Sequence, residues 1–405
     1  MRRISFNKLL LIGSFAVVTM TAACGNSLSQ NTSDHGLYWE QIASSTTTPP
    51  AASHLVPDPV WYNRCAQRVE LYMEYQVFPI LSYSGKFDRN TLWSWNGSKW
   101  QSQVVDLSLG MGGRHMTWNS DNCTAVLPQM LNPGNDYPAK SYPGQVINPT
   151  LSWNGKSWRI VSVTSPGLGL GNVIVYDPAT HTVVLSGSNL VWYNGERTWP
   201  VPTGDTVQVI HDMEHMWQEA RISKTIPFFQ ISNTTSTWTF DGTSWKKHPG
   251  VSPPAMLSYP LTAYDPLTRS VVVYGGWTKP GGNPQNSTQQ IFGTWLWNGV
   301  TWREARSNAH VRVSTVYAAM AYDPMLGGVV LYDTKSHGTW LWTGTNWKRL
   351  ITSNTASPGY WDFPSMVFDQ STGQLILVGD QPASMKATHF TTGTWVLSGT
   401  LHGHE

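Results

Sequence analysis

The densest run of possible ligands in the chain is His211-Asp212-Met213-Glu214-His215-Met216-Trp217. If this segment makes a helical turn, His211 and His215 fall at i and i+4 on one face. That spacing holds zinc or copper, with Met213 or Met216 as a soft ligand. A plainer reading has Met213, Met216 and Trp217 anchoring an insertion on apolar surface while the histidines stay solvated. The second pair is Cys65 and Cys123. In an exported protein they form a disulfide if their Cα atoms come within about 7 Å, and otherwise they are separate thiols. The chain has no nucleophile elbow, phosphate loop or zinc signature, and no carboxylate pair apart from ordinary turn positions. No cofactor is therefore expected, and a catalytic site would have to be gathered from distant parts of the chain.

What must position any such residues is a repeated hairpin. Gly293-Thr294-Trp295-Leu296-Trp297-Asn298-Gly299-Val300-Thr301-Trp302 sets Asn-Gly between alternating apolar runs, the signal of a two-residue type I′ turn. With Asn298 and Gly299 as the loop, Trp297 faces Val300 and Trp295 faces Trp302. The same register puts Trp93 opposite Trp100, Trp238 opposite Trp245 and Trp340 opposite Trp347. Degenerate copies run from Leu151 to Trp158 and from Trp192 to Trp199, and a half-copy from Gly393 to Leu397 lacks its closing Trp. Indoles at a fixed register in every copy are read as packing between sheets rather than as a glycan platform.

A second element precedes each hairpin: an apolar strand ending in an aromatic residue and Asn or Asp, a short turn, and a Val/Leu/Ile-rich strand. Its copies are Trp61-Tyr62-Asn63, Thr117-Trp118-Asn119, Val175-Tyr176-Asp177-Pro178, Ala263-Tyr264-Asp265-Pro266, Ala321-Tyr322-Asp323-Pro324 and Val367-Phe368-Asp369. The fourth unit is the most altered, with Val207 to His211, an insertion, and then Ile226-Pro227-Phe228-Phe229. Two hairpins in about 50 residues make a propeller blade. The sequence thus predicts an all-β, seven-bladed β-propeller of four-stranded antiparallel blades, near 56–105, 113–165, 170–202, 205–248, 255–306, 313–350 and 359–397. The last lacks a fourth strand. Leu37-Tyr38-Trp39-Glu40-Gln41-Ile42 has the missing pattern and would close the ring, with Trp39 opposite Trp395.

An apolar strand, Gly275-Gly276 and then Thr-Trp-x-Trp-Asn-Gly-x-x-Trp resembles the kelch-type repeats of bacterial secreted proteins, related in fold to the central domain of galactose oxidase. The resemblance implies the fold and little about activity. A copper radical site of the galactose oxidase kind needs a cysteine crosslinked to tyrosine, two histidines and another tyrosine, and that set cannot be assembled here. The connections from second to third strand are long: Pro128–Asn148, Trp277–Phe292 and Gly379–Thr392. Long loops of this kind carry function. In a propeller they emerge beside the links between blades, which nominates Arg114, His115, Tyr360, Trp361 and Asp362 as ligand-binding residues.

Residues 1–23 carry Arg2, Arg3 and Lys8, an apolar run from Leu9, and Thr21-Ala22-Ala23 before Cys24. The apolar run falls short of the roughly 20 residues of a membrane span, and small residues before a cysteine resemble a lipobox. The expected product is a lipoprotein anchored through Cys24 on the extracytoplasmic face of the cell membrane; the alternative is a cleaved signal peptide with an incidental cysteine. Residues 24–36 read as a tether, and 37–405 as one propeller domain. Removing Arg2, Arg3 and Lys8 leaves a nearly neutral chain with no basic stripe, which argues against nucleic acid as a partner. The sequence therefore points to a monomeric, non-enzymatic module that binds a protein or glycan. The alternatives are a secreted hydrolase or oxidoreductase with its site at the channel mouth, and an envelope assembly scaffold.

Overall fold

The first strand of every unit ends in an aromatic residue followed by Asn or Asp, and that Asx side chain reverses the chain. Oδ1 of Asn63, Asn119, Asp177, Asp265, Asp323 and Asp369 accepts the backbone N–H two residues on at 2.8–3.1 Å. These are Asx turns. The residue before the next strand then takes a positive φ, between 51° and 71° at Gln67, Cys123, His181, Arg269, Gly327 and Gly373.

The computed structural model describes residues 36–43, 49, 59–73, 91–105, 116–128, 150–162, 165–166, 173–193, 198–200, 228–250, 259–278, 289–309, 311–350, 358–359, 361–382 and 390–399. After β1 (Tyr38–Ala43), blade 1 is β2 (Val60–Asn63), β3 (Arg68–Met73), β4 (Thr91–Trp95) and β5 (Trp100–Val104). Blade 2 is β6 (Thr117–Asn119), β7 (Thr124–Pro128), β8 (Thr150–Trp153) and β9 (Trp158–Ser162). Blade 3 is β10 (Val173–Asp177), β11 (Thr182–Tyr193), β12 (Thr198–Pro200), β13 (Phe228–Phe240) and β14 (Trp245–His248). Blade 4 is β15 (Leu261–Asp265), β16 (Ser270–Thr278), β17 (Gln289–Trp297) and β18 (Trp302–Ala305). Blade 5 is β19 (Ala318–Asp323), β20 (Gly328–Asp333), β21 (Gly338–Trp342) and β22 (Trp347–Leu350). Blade 6 is β23 (Asp362–Asp369), β24 (Gln374–Pro382) and β25 (Phe390–Ser398), with β1 as its outer strand.

Each inner strand neighbours the next around the series β2, β6, β10, β15, β19 and β23, and β23 neighbours β2. The fold is a β-propeller of antiparallel, four-stranded blades, six rather than the expected seven. The described residues of 170–202 and 205–248, which form β10 to β14, belong to one sheet. β11 pairs with β10 along its first half and with β12 along its second, while β13 runs beside it throughout. The Trp192–Trp199 hairpin is thus an extension of a second strand. The physical reason lies in the turn: upstream of Phe240, residues 205–239 contain no aromatic-Asx step, and without that turn no inner strand starts a blade.

The hairpin register is also corrected. Trp297 lies opposite Trp302, Trp95 opposite Trp100, Trp153 opposite Trp158, Phe240 opposite Trp245 and Trp342 opposite Trp347. The loop is four residues long because Asn298 does not sit inside a two-residue turn. Its Oδ1 instead accepts N–H bonds from Val300 and Thr301 at 3.0 and 2.9 Å, while Gly299 takes φ +91°. The closing strand shifts likewise: Trp39 lies opposite Leu397, and Gln41 faces Trp395.

Blades are joined by a repeated bond. The indole Nε1–H of Trp100, Trp245, Trp302, Trp347 and Trp39 donates to Oγ1 of Thr394, Thr150, Thr237, Thr294 and Thr339 at 2.7–3.3 Å. Each Trp belongs to the outer strand of one blade and each Thr to the third strand of the blade before it. Trp39, 2% exposed, brings this bond as well as its strand to blade 6. The exception is blade 2, where Trp158 Nε1 has no acceptor among the described residues and the equivalent Thr91 is taken by Trp93 of its own strand at 3.2 Å.

Candidate functional site

Inner strands that begin six blades surround one axis, so a cavity lined by several of them is the channel. Residues at matching positions of β15, β19 and β23 and their turns line a cavity of about 400 Å³. Thr262, Met320 and Met366 form one layer, Tyr264, Tyr322 and Phe368 the next, and Pro266, Pro324 and Gln370 the layer at the turns. The aromatic layer comes from the residue immediately before each Asx turn. That recurrence is visible in the sequence, but there it reads as turn chemistry and does not reveal the cavity.

Among the described residues, the lining holds no carboxylate, histidine, cysteine, lysine or arginine. Its titratable groups are two phenols. Burial raises the pKa of Tyr264, helped by Asp177 in the preceding blade, and burial raises that of Tyr322, helped by Asp265. Both hydroxyls therefore stay protonated and serve as hydrogen-bond donors, not as bases or nucleophiles. The same logic recurs in blade 1, where burial and then Asp369 of blade 6 raise Tyr62.

A cluster of mutually bonded charged groups lies in the turns of blades 1–3. Tyr176 donates its hydroxyl proton to Asp121 Oδ2 at 2.7 Å, and His181 Nδ1 meets the same oxygen. The Tyr176 hydrogen bond, then that from His181, lowers the Asp121 pKa. Burial, then the bond to Asp121, raises that of Tyr176. Arg64 Nη2 donates to the Asp121 carbonyl at 3.1 Å, so one turn of blade 2 is tied to both neighbours. With Nδ1 on the carboxylate, His181 shows its other nitrogen to solvent, its side chain 74% exposed. An oriented imidazole is one component of proton transfer, and here it serves as the outer end of an inter-blade clamp.

Cys65 and Cys123 are bonded to each other with Cα atoms 6.2 Å apart, one in the first turn of blade 1 and one in that of blade 2. Trp361 is 1% exposed, and its ring lies so close to Gly379 that an added Cβ there would meet it at 2.6 Å. Its carbonyl accepts from Thr334 Oγ1 at 2.8 Å, so Trp361 is a packing residue and not a surface contact. Asp362 begins β23 opposite Asp380. Residues 1–35 with Cys24, as well as Arg114, His115, His211, His215, Tyr360 and most of the long loops, lie outside the described residues. Among the described residues no three His, Cys, Asp or Glu side chains are grouped to hold a metal, and no helix is long and apolar enough to cross a membrane.

No protein-family model matches the chain, and no curated protein does. Among solved structures it is similar to a protein of unknown function from Dyadobacter fermentans, at 10% identity and TM-score 0.47, covering 89% of this chain and 99% of that one. It is also similar to a structural-genomics protein of unknown function from Bacteroides thetaiotaomicron, at 10% identity and TM-score 0.44, covering 89% and 76%. A chain of the nidogen/laminin complex matches at 8% identity and TM-score 0.38, covering 76% and 82%. Ligand and activity do not transfer across such distances.

Proposed function

We propose that the protein is a binding module: a propeller tethered to the membrane through a lipid on Cys24, in the manner of kelch-type lipoproteins, that holds part of a protein or glycan at the ring axis. The observation that carries this reading is the channel cavity, whose lining among the described residues is aromatic and Met-rich, with neutral donors and no acid or base. Such a surface stacks on a sugar ring or receives an apolar peptide tip, and fixes it with a few polar groups. These described residues bind rather than transfer protons, which favours the binding reading over a hydrolase at this position. The long-loop face first nominated for binding is not needed for this reading.

The test is an array of bacterial-envelope glycans and short peptides probed with soluble Cys24→Ser protein, its Tyr322→Ala variant and its Tyr322→Phe variant. Ligands retained by the parent should be weakened roughly tenfold by Tyr322→Ala and much less by Tyr322→Phe, with thermal unfolding showing that all three are folded. Ligands held equally by all three proteins would remove the channel from the account, and breakdown of a bound ligand would replace binding by catalysis.

A further inference from the structure

A second cavity, of about 430 Å³, opens at the seam between blades 4 and 5. That volume falls in the range of small-molecule sites, about 300–1,000 Å³. Its floor is apolar, with Val311 and Trp347 only 4% and 3% exposed. Its walls carry Glu304, Arg306, Arg312 and Phe292. Neither guanidinium has a carboxylate partner among the described residues. Arg312 instead lies 5.8 Å from the centroid of the Phe292 ring, which is itself 36% exposed. Ser307 and Ala309, which follow Arg306, are tied to blade 5, because Ser307 Oγ donates to Asn346 Oδ1 at 2.6 Å and Ala309 N donates to the same oxygen at 3.2 Å. Two arginines are thus presented beside an aromatic ring, and among the described residues no carboxylate pairs with either.

We infer that this seam cavity binds a carboxylate-bearing sugar residue, a uronate. The planar guanidinium fork matches a planar carboxylate bidentately. Phe292 offers an apolar face to the sugar ring, and Glu304 accepts hydrogen bonds from its hydroxyls. Glu304 also decides between anions. Two arginines and one glutamate leave a single positive charge for the ligand to match, so a monoanion rich in hydroxyls fits and a phosphate dianion is opposed by the carboxylate beside it. None of these groups lines the channel, so this site stands whether or not the channel reading holds.

The experiment is calorimetric titration of the soluble Cys24→Ser protein with tetrasaccharides of galacturonate, glucuronate, mannuronate and guluronate, with a neutral glucose tetrasaccharide alongside. At least one uronate should bind and the neutral sugar should not. Arg312→Gln and Arg306→Gln should each weaken binding roughly tenfold or more, Phe292→Ala by less, and Tyr322→Ala not at all. All these residues but Tyr322 lie at an exposed rim, so thermal unfolding of the rim variants should match the parent. No binding by any uronate would overturn the inference, as would binding indifferent to both arginine substitutions. Displacement of a bound uronate by inorganic phosphate at equal or lower concentration than by free glucuronate would reassign the site to phosphate.

Discussion

Blade 1 has two seams, and they are held by different chemistry. On the side of blade 6, Trp100 donates to Thr394 at 2.8 Å over a cluster of aliphatic residues, Val69, Leu71 and Met73 against Ile376, Val378 and Val396. On the side of blade 2 the Trp–Thr bond is missing. There Glu70, 2% exposed, takes the position held in the other blades by Val126, Val184, Val272, Val330 and Ile376, each packed toward the blade that follows. Its carboxylate is satisfied by Trp61 Nε1, Asn63 Nδ2 and Arg68 Nε at 2.9–3.0 Å, so it is tolerated, but it contributes little of the apolar burial that a valine does. This is the seam that carries the disulfide, along with the stacked Trp61 and Trp118 rings 5.3 Å apart. An apolar cluster with Tyr72 and Leu92 against Trp118, Leu127 and Leu151 remains at this seam. The covalent bond lies where the Trp–Thr bond and the aliphatic residue at the Glu70 position lapse, which teaches that a ring of similar blades can differ from seam to seam.

The strongest way to break this comparison is to remove the bridge. Cys65→Ser with Cys123→Ser releases a loop with a sequence separation of 58, which chain entropy values at about 4 kcal/mol. Urea unfolding of this variant, and of the parent under reductant, should show that loss. A loss below about 1 kcal/mol would mean that the seam between blades 1 and 2 needs no covalent help.

A smaller effect sharpens the other side. Thr394→Val keeps the shape and strands the buried N–H of Trp100, at a cost of about 1–3 kcal/mol. Thr91→Val at the matching position of blade 1 removes only the part-buried bond from Trp93, about 0.5–1.5 kcal/mol. Unfolding free energies that came out equal would show that the Trp–Thr bond does not distinguish the seams.

How far this was legible in the sequence differs by feature. The propeller class follows from the Trp hairpins, but they overcount the blades. Asn63, Asn119, Asp177, Asp265, Asp323 and Asp369 turn the inner strands, and an inner strand is what a blade cannot lack. Asn96, Asn154, Asp241 and Asn298 make the same side-chain turn inside the Trp hairpins, so only the turns followed by a positive-φ residue and the Val/Leu/Ile-rich second strand count the ring. The register differs from the expected one because Asn-Gly suits two loops. The two-residue turn uses the backbone of Asn298, and the four-residue loop uses its side chain, a choice made by hydrogen bonds that spacing does not display. The channel lining and the seam cavity were hidden for another reason: each gathers residues from separate blades, and a linear repeat shows only what each blade contains.

The smallest expected effect concerns the turn next to the disulfide and is read by pH. Asp121, two residues before Cys123, is held to blade 3 by Tyr176 and His181, and its carbonyl to blade 1 by Arg64. Those side-chain hydrogen bonds, Tyr176 first, set its pKa below the ordinary value, so the folded state binds the Asp121 proton less readily than the unfolded chain does. The stability this carboxylate contributes is complete above about pH 3.9, the unfolded value, and is lost as pH falls through the lowered folded value. Its side chain is 36% exposed, and solvent screening keeps the effect modest. The melting temperature of the parent should therefore exceed that of Asp121→Asn at about pH 5, and the margin should shrink as the pH falls below about 4. A margin unchanged into strong acid would mean that the carboxylate's charge plays no part in tying the bridged turn to blade 3, leaving the disulfide and the Arg64 bond to the Asp121 carbonyl to hold that turn in place.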